Sequence, residues 1–364
     1  MTPWWLGLLL CQAVLAYESD QLTWRSERLE DAQPAADAHM DQLLARAVAA
    51  ANQESACQGS DAELRWVLAR EVERVLGDRT QVHARGELPP MTFGAYAAWL
   101  EMADLDRHTF SGREDIYGGV EWRQNLLLAT VGPCSTIRMG DVLVGTDKID
   151  HFLVQGYLYF RRSRQGQDPA RAVRWGTFTE RSFWGTATTK VFSYADLAAN
   201  YDGYTFYAGL LAPGSVLQRD ERGCVVQDRL WDWSEWIDWQ YDEVLNPSAY
   251  RPAILAEVNT WLVAHRDEVC EAWNGEPWMD PAARVSSLLD STLPYELQDA
   301  PMRMDVFALD RLCGGEPPCD PEADPSCPGS VPEQSRARDR DRDRDRDRDR
   351  DRDEHSRRRK PSPR

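Results

Sequence analysis

The stretch that decides how this chain folds opens with Gly145-Thr146-Asp147-Lys148-Ile149-Asp150-His151-Phe152. It closes with Ser193-Tyr194-Ala195-Asp196-Leu197-Ala198-Ala199-Asn200-Tyr201-Asp202-Gly203, and Phe178-Thr179-Glu180-Arg181-Ser182 lies between. Thr146 can cap a helix running from Asp147 to about Arg162. Pro169 suits the first turn of a second helix, ending near Trp184. Ser193, with Asp196 three residues on, is a capping-type start for a third helix through Tyr207. On such helices Asp147 and His151 share a face, as do Asp196 and Asn200, because each pair is spaced i, i+4. Gly203 would let a neighbouring backbone come close. The pattern predicts neighbouring helices that gather Asp147, His151, Glu180, Asp196 and Asn200 in one place.

Outward from this centre the helical period continues. Ala38 to Ala56 carries Met40, Leu43, Leu44, Ala47 and Val48 at helical spacing. Ser60-Asp61-Ala62-Glu63 is a capping box ahead of Leu64, Val67, Leu68, Val72 and Leu76, and Gly77 suits the stop. Met91 to Met102 predicts a third short helix. Ser111 to Val144 reads as a loop-rich excursion with a strand at Asp141 to Val144. Ile254 to Cys270 predicts one amphipathic helix, and a further short one is expected around Ala283 to Leu289. No internal repeat is visible. The fold class is mainly α: a single irregular helical domain over residues 35–312, with loop-rich insertions, after a polar and loosely attached segment at 17–34.

Both ends differ from this body. Residues 1–16 (MTPWWLGLLLCQAVLA) are apolar and end in small residues, which reads as a signal peptide and is too short for a membrane span. No later run is long and apolar enough to cross a bilayer, so no transmembrane segment is expected in the mature chain. Residues 313–364 turn to Cys and Pro and then to an Asp-Arg repeat with no apolar residue to offset ordering entropy, so a disordered tail is expected. Arg338 to Arg364 hold 13 Lys or Arg against 9 Asp or Glu, which leaves about −22 on residues 1–337 of a chain whose net charge is −18. A body that acidic argues against nucleic acid as partner. An exported, periplasmic or secreted chain can form disulfides, and seven cysteines beyond residue 16 leave one unpaired if the rest pair.

Oxygen and imidazole groups at Asp147, His151, Glu180 and Asp196 suit a divalent metal. The same set suits acid–base chemistry, with His151, Glu180 and Asp196 as catalytic groups and Lys148 and Asn200 in support. A structural reading stands beside both. Asp147 and Asp196 fall in first turns, where an acid complements the helix dipole, and Lys148 can pair with a neighbouring acid. Trp231, Trp233, Trp236 and Trp239 alternate with acids at a spacing that fits neither strand nor helix. That predicts a turn of packed aromatics, with stacking on sugar rings as the alternative.

Asp147-Lys148-x-x-His151-Phe152, then Glu180, then Ser193-x-x-Asp196-x-x-Ala199-Asn200-x-x-Gly203 resembles the motif order of VanZ-like envelope proteins. It is also similar to a group of uncharacterised exported bacterial proteins that add a Trp-Asp-Glu-x-x-Asn-Pro-like segment, here Trp239-Gln-Tyr-Asp242-Glu243-Val-Leu-Asn246-Pro247. VanZ-like proteins are integral to the membrane, and this chain departs from them there. The resemblance implies a site and an envelope location, with a lipid or glycan of the cell envelope as partner, but no reaction.

The chain lacks a phosphate-binding loop, a Gly-x-Ser-x-Gly elbow, a His-Glu-x-x-His motif and a dinucleotide fingerprint. Two functions stay open. One is a non-catalytic binding or scaffold role, in which the polar set is a paired interior network; this is the preferred reading. The other is a metal-dependent or acid–base hydrolase acting on an envelope lipid or glycan through Asp147, His151, Glu180 and Asp196.

Overall fold

The structure, a computed structural model, describes residues 18–82, 91–110, 114–130, 132–182, 185–275, 305–306 and 309–314. The signal-like residues 1–16, the helix expected near 283–289 and the Asp-Arg tail lie outside them. The chain divides into two units, Met1–Glu316 and Pro317–Arg364, and every described residue belongs to the first.

The described chain is mainly helical, with short two- and three-stranded sheets. Helix α1 (Gln33–Ser55) begins earlier than the apolar spacing indicates, because Pro34 sits in its first turn. Helix α2 (Asp61–Leu76) starts on the expected capping box: the Ser60 hydroxyl accepts from the Glu63 N–H at 3.3 Å, and the Glu63 carboxylate accepts the Ser60 N–H at 2.8 Å. Gly77 closes it. The pair buries Leu43, Leu44 and Ala47 with Leu64, Leu68 and Val72, at roughly 1.5–3 kcal/mol for each large apolar side chain removed from water.

Met91 to Met102 is not one helix. Strand β1 (Arg79–Val82) pairs antiparallel with β2 (Met91–Gly94), and α3 (Ala95–Met102) begins only afterwards. Gly94 makes the corner in extended conformation, and its N–H donates to Asp150 Oδ1 at 2.6 Å. After α4 (Leu126–Thr130), a hairpin of β3 (Thr136–Met139) and β4 (Val142–Gly145) delivers the chain to the centre.

There α5 (Thr146–Asp150), a π-helical turn (His151–Gln155) and α6 (Gly156–Arg162) follow without a break. Thr146 is not the cap. Gly145 takes that position, and the Thr146 hydroxyl donates to Glu101, which also accepts from Ser135. Helix α7 (Pro169–Ser182), a second π turn (Gly185–Thr189), β5 (Val191–Phe192) and α8 (Tyr194–Gly209) complete the central group. A hairpin of β6 (Leu217–Arg219) and β7 (Val225–Gln227) follows, then β8 (Ala249–Tyr250). The helix expected over Ile254 to Cys270 is broken at His265 into α9 (Pro252–Ala264) and α10 (Arg266–Gly275). Strand β9 (Asp305–Val306) extends β8, and α11 (Leu309–Cys313) ends the described chain.

The tryptophan segment is core. Trp231 and Trp233 are buried, Trp231 stacks on Trp236 at 6.0 Å, and Phe152 meets all three edge-on. The interleaved acids cap local turns, and Asp232 also accepts from Gln33 of α1 at 2.8 Å. Asp232 and Asp238 accept from Ser234 N–H and Gln240 N–H, capping two short 3-10 turns.

The N-terminal segment is not loosely attached. Glu18, Ser19, Asp20, Gln21 and Thr23 are buried, Asp20 accepts the Ile116 N–H, and Arg25 pairs with Asp242 at 2.7 Å. Among the described residues two disulfides, Cys57–Cys224 and Cys270–Cys313, tie distant elements, and Cys134 is free and buried.

Apolar side chains form two buried clusters. Adjacent residues of one strand serve different clusters, because side chains alternate along it. Phe192 and Ala249 enter the main cluster, whereas Val191 and Tyr250 enter the second. Tyr241 and Val244 divide in the same way, with Glu243 between them. Ser193 and Glu243 thus stand at the seam between two cores, and the polar cluster is built there.

Candidate functional site

Helix α8 and the α5–α6 helix run alongside each other in the same direction, with Lys148 against Asp196 and His151 against Asn200. A glycine pair sets how close they come. A Cβ on Gly203 would lie 1.9 Å from the Phe152 carbonyl oxygen, and one on Gly156 would lie 2.5 Å from the Gly203 Cα. No other residue fits this crossing without separating the helices. Tyr207 OH donates to the Leu153 carbonyl at 2.9 Å just beyond it.

Lys148, expected only in a supporting role, is the centre of the cluster. Its ammonium reaches Asp147 at 2.8 Å, Asp196 at 2.6 Å and Glu243 at 2.7 Å, matching three donors to three carboxylates. Its side chain is 0 % exposed. His151 stands between Asp196, 3.2 Å from its Nε2, and Asn200, 3.0 Å from its Nδ1, so both ring nitrogens face acceptor oxygens. The Asn200 amide in turn donates to Tyr159 OH at 3.0 Å. Ser193 joins the parts: its hydroxyl accepts the Asp196 N–H, capping α8, and donates to Glu243 at 3.0 Å, while its own N–H donates to Glu180 at 3.1 Å.

Asp147, His151, Glu180, Asp196 and Asn200 are therefore brought together, as their spacing predicts. Two members escaped the sequence reading. Glu243 comes from the tryptophan segment, where its place in the Trp239–Pro247 motif was the available signal. Glu18 comes from the N-terminal segment, is 1 % exposed, and had no sequence signal at all.

The charges do not balance. Glu18, Asp147, Glu180, Asp196 and Glu243 face one ammonium and one imidazole. Burial would lower the Lys148 pKa, but Asp147, Asp196, Glu243 and Glu18 outweigh it and hold the ammonium well above its usual range. Burial, with repulsion from Glu243 and Asp196, pushes Glu18 well up; burial and Asp196 do the same to Glu180. Asp147 and Glu243 are raised by burial against the pull of Lys148. Asp196 alone goes down: His151, Lys148 and the Ser193 hydrogen bond overcome its burial.

The four groups expected to hold a metal do not form a common ligand set. Among the described residues no group of three or more His, Cys, Asp or Glu side chains is placed to hold one. The Lys148 ammonium takes the position a cation would need, and Glu180 is turned to the Ser193 N–H. No helix of the described chain is long and apolar enough to cross a membrane. No protein family, no curated protein and no solved structure matches this chain.

Proposed function

We propose that this chain is a non-catalytic binding or scaffold protein, exported to the periplasm or surface of a cell, whose Lys148 cluster fixes the register of its central helices. One observation carries the reading. Every side chain bonded to Lys148 is at most 5 % exposed, and His151 only 8 %, so the cluster is closed to a substrate. Its place between two cores gives it a structural role, since a paired interior network specifies one arrangement of the elements around it. The two disulfides support export. The resemblance of its motif order to that of VanZ-like and related exported proteins supports an envelope location, where a lipid or glycan is the proposed partner.

The hydrolase reading draws on a different observation. Asp147 Oδ1, Glu18 Oε2 and Glu243 Oε2 are buried without a hydrogen-bond partner among the described residues, and the Asp196–His151 pair has the composition of an acid–base couple. One experiment separates the two. The full chain is incubated with envelope lipid and glycan fractions beside a His151→Gln variant, with products read by mass spectrometry and unfolding temperature recorded. The scaffold reading expects no product from either protein and a lower unfolding temperature for the variant. A product made by the wild type and lost in a variant that stays folded contradicts it.

A further inference from the structure

A cavity of about 610 Å³ opens where the β5–β8 pair meets the start of α9, and it has the opposite electrostatic character. Arg181, Lys190 and Arg251 line it, together with Gln124, Thr186 and the first turn of α9; no acid is among the described lining residues, and the Gln124 amide donates to Glu257 of α9 at 3.0 Å. The body that holds it is strongly acidic.

Strand pairing explains why two of these cations are neighbours. Val191 is opposite Tyr250, and the Arg251 N–H donates to the Lys190 carbonyl at 3.0 Å, so the two side chains leave adjacent backbone positions. Neither forms a salt bridge among the described residues. Two like charges on adjacent backbone positions, neither paired with a described carboxylate, repel each other, and an anion between them relieves that repulsion. Helix α7 turns Glu180 into the interior and Arg181 into the cavity.

Two backbone features point the same way. Lys190 has φ 69°, a left-handed conformation that a non-glycine residue holds at a cost of about 1–3 kcal/mol and that recurs at ligand sites. It directly follows the π turn Gly185–Thr189, which supplies Thr186. Helix α9 has 13 residues and no side-chain cap, and its first-turn residues Pro252, Ala253 and Ile254 line the cavity, so the positive end of its dipole is turned towards it.

We propose that this cavity binds a phosphoryl-type oxyanion, held by Lys190, Arg251 and Arg181 over the N-terminus of α9. Exposed apolar residues neighbour its lining residues along the chain. Trp122 and Leu126, 63 % and 65 % exposed, flank Gln124 in sequence, and Phe178, 51 % exposed, precedes Arg181 by one helical turn. A cationic pocket whose lining residues have exposed aromatic and aliphatic neighbours along the chain fits the phosphate head of an amphiphile. The inference rests on the binding role proposed for the chain and gives it a ligand class. The two fail separately: catalysis at His151 would overturn the first and leave phosphate binding untouched.

The test is calorimetric titration of the full chain with inorganic phosphate, with short-chain phosphatidic acid and with phosphatidylcholine of the same chain length, at fixed salt. Phosphate and phosphatidic acid are expected to bind. Lys190→Gln and Arg251→Gln are each expected to weaken both by about tenfold or more, the weight of a charge-assisted hydrogen bond. Arg222→Gln, at an exposed arginine paired with Asp220, is expected to change neither. Tighter binding of phosphatidic acid than of phosphate, lost in Phe178→Ser, assigns a lipid head group. Equal binding assigns a soluble phosphate, and both results uphold the oxyanion site. Absence of binding by both phosphate probes, or binding equally strong in the Lys190 and Arg251 variants, overturns it.

Discussion

Lys148 and Lys190 are the two described lysines of a chain in which lysine fills three of 42 Lys and Arg positions, and their surroundings are opposites. Lys148 is fully buried, with acids outnumbering cations around it. Lys190 lines an open cavity whose described lining residues include three cations and no acid. The same ammonium is internally neutralised in one place and left for an outside anion in the other. Reactive-looking residue types therefore do not mark the site open to ligands. The acids and imidazole of the Lys148 cluster carry the conspicuous motifs, yet it is closed. The cavity has no motif and is accessible.

The most disruptive way to sharpen this contrast is Lys148→Met. It leaves buried acids with no ammonium, and removal of one partner of a buried ion network costs about 3–5 kcal/mol. Denaturant unfolding of the variant is expected to show that loss. Gly203→Ala comes next. Its methyl would meet the Phe152 carbonyl oxygen, and overpacking costs about 1–3 kcal/mol or more. Spreading the helices also draws His151 from Asn200, which a crystal structure of the variant would record.

pH gives a smaller, graded effect, and its sign is fixed by the raised carboxyl groups. Glu18 and Glu180 are pushed well up by burial, and Asp202, beside Tyr241, is pushed up to about 7 by burial and by Asp238. The folded state therefore holds protons that the unfolded state has released, so stability falls as pH rises from each unfolded pKa towards the folded one. Asp196 and Lys148 work at the two extremes: the first loses its contribution only as acid protonates it, the second only as base neutralises it. Chemical denaturation is expected to give higher stability near pH 5 than near pH 8, and Asp202→Asn is expected to flatten the slope. A midpoint that rises steadily over this range would contradict the assignment.

Glu180→Gln marks the small end. Glu180 is held towards its neutral form, so an uncharged amide of the same shape is expected to cost less than about 1 kcal/mol. Lys190→Gln, which removes no salt bridge among the described residues, is expected to stay within about 0.5 kcal/mol. If Glu180→Gln proves as costly as Lys148→Met, Glu180 is ionised and the charge distribution assigned to the cluster is wrong.

How much of this was legible follows from how far apart the interacting residues lie. Asp147 with His151, Asp196 with Asn200, and the caps at Ser60 and Ser193 are set by helix geometry within a turn, so their spacing reveals them. Gly203 was legible for a related reason, since a glycine among good helix formers marks a close approach. The strand at Met91–Gly94 was hidden because its partner is the separate segment Arg79–Val82. The N-terminal segment looks unattached until Asp242 supplies the partner of Arg25. Glu18 enters the cluster from a polar segment with no sign of convergence, and Glu243 from an aromatic one whose only signal was its place in the Trp239–Pro247 motif. The role of Lys148 was legible only as a pairing, because counting the acids around it needs the whole fold.

Acetylation of the native protein with an amine-selective reagent at about pH 8.5, where an ordinary lysine reacts slowly through its minor neutral form, tests the central contrast most directly. Peptide mass spectrometry then compares the two lysines. Lys190 is expected to be modified, and added inorganic phosphate to slow it, while Lys148 stays unmodified until denaturant unfolds the chain. Modification of Lys148 in the folded protein at a rate similar to that of Lys190 would show the cluster to be open, and would make the acids around it candidate catalytic groups again.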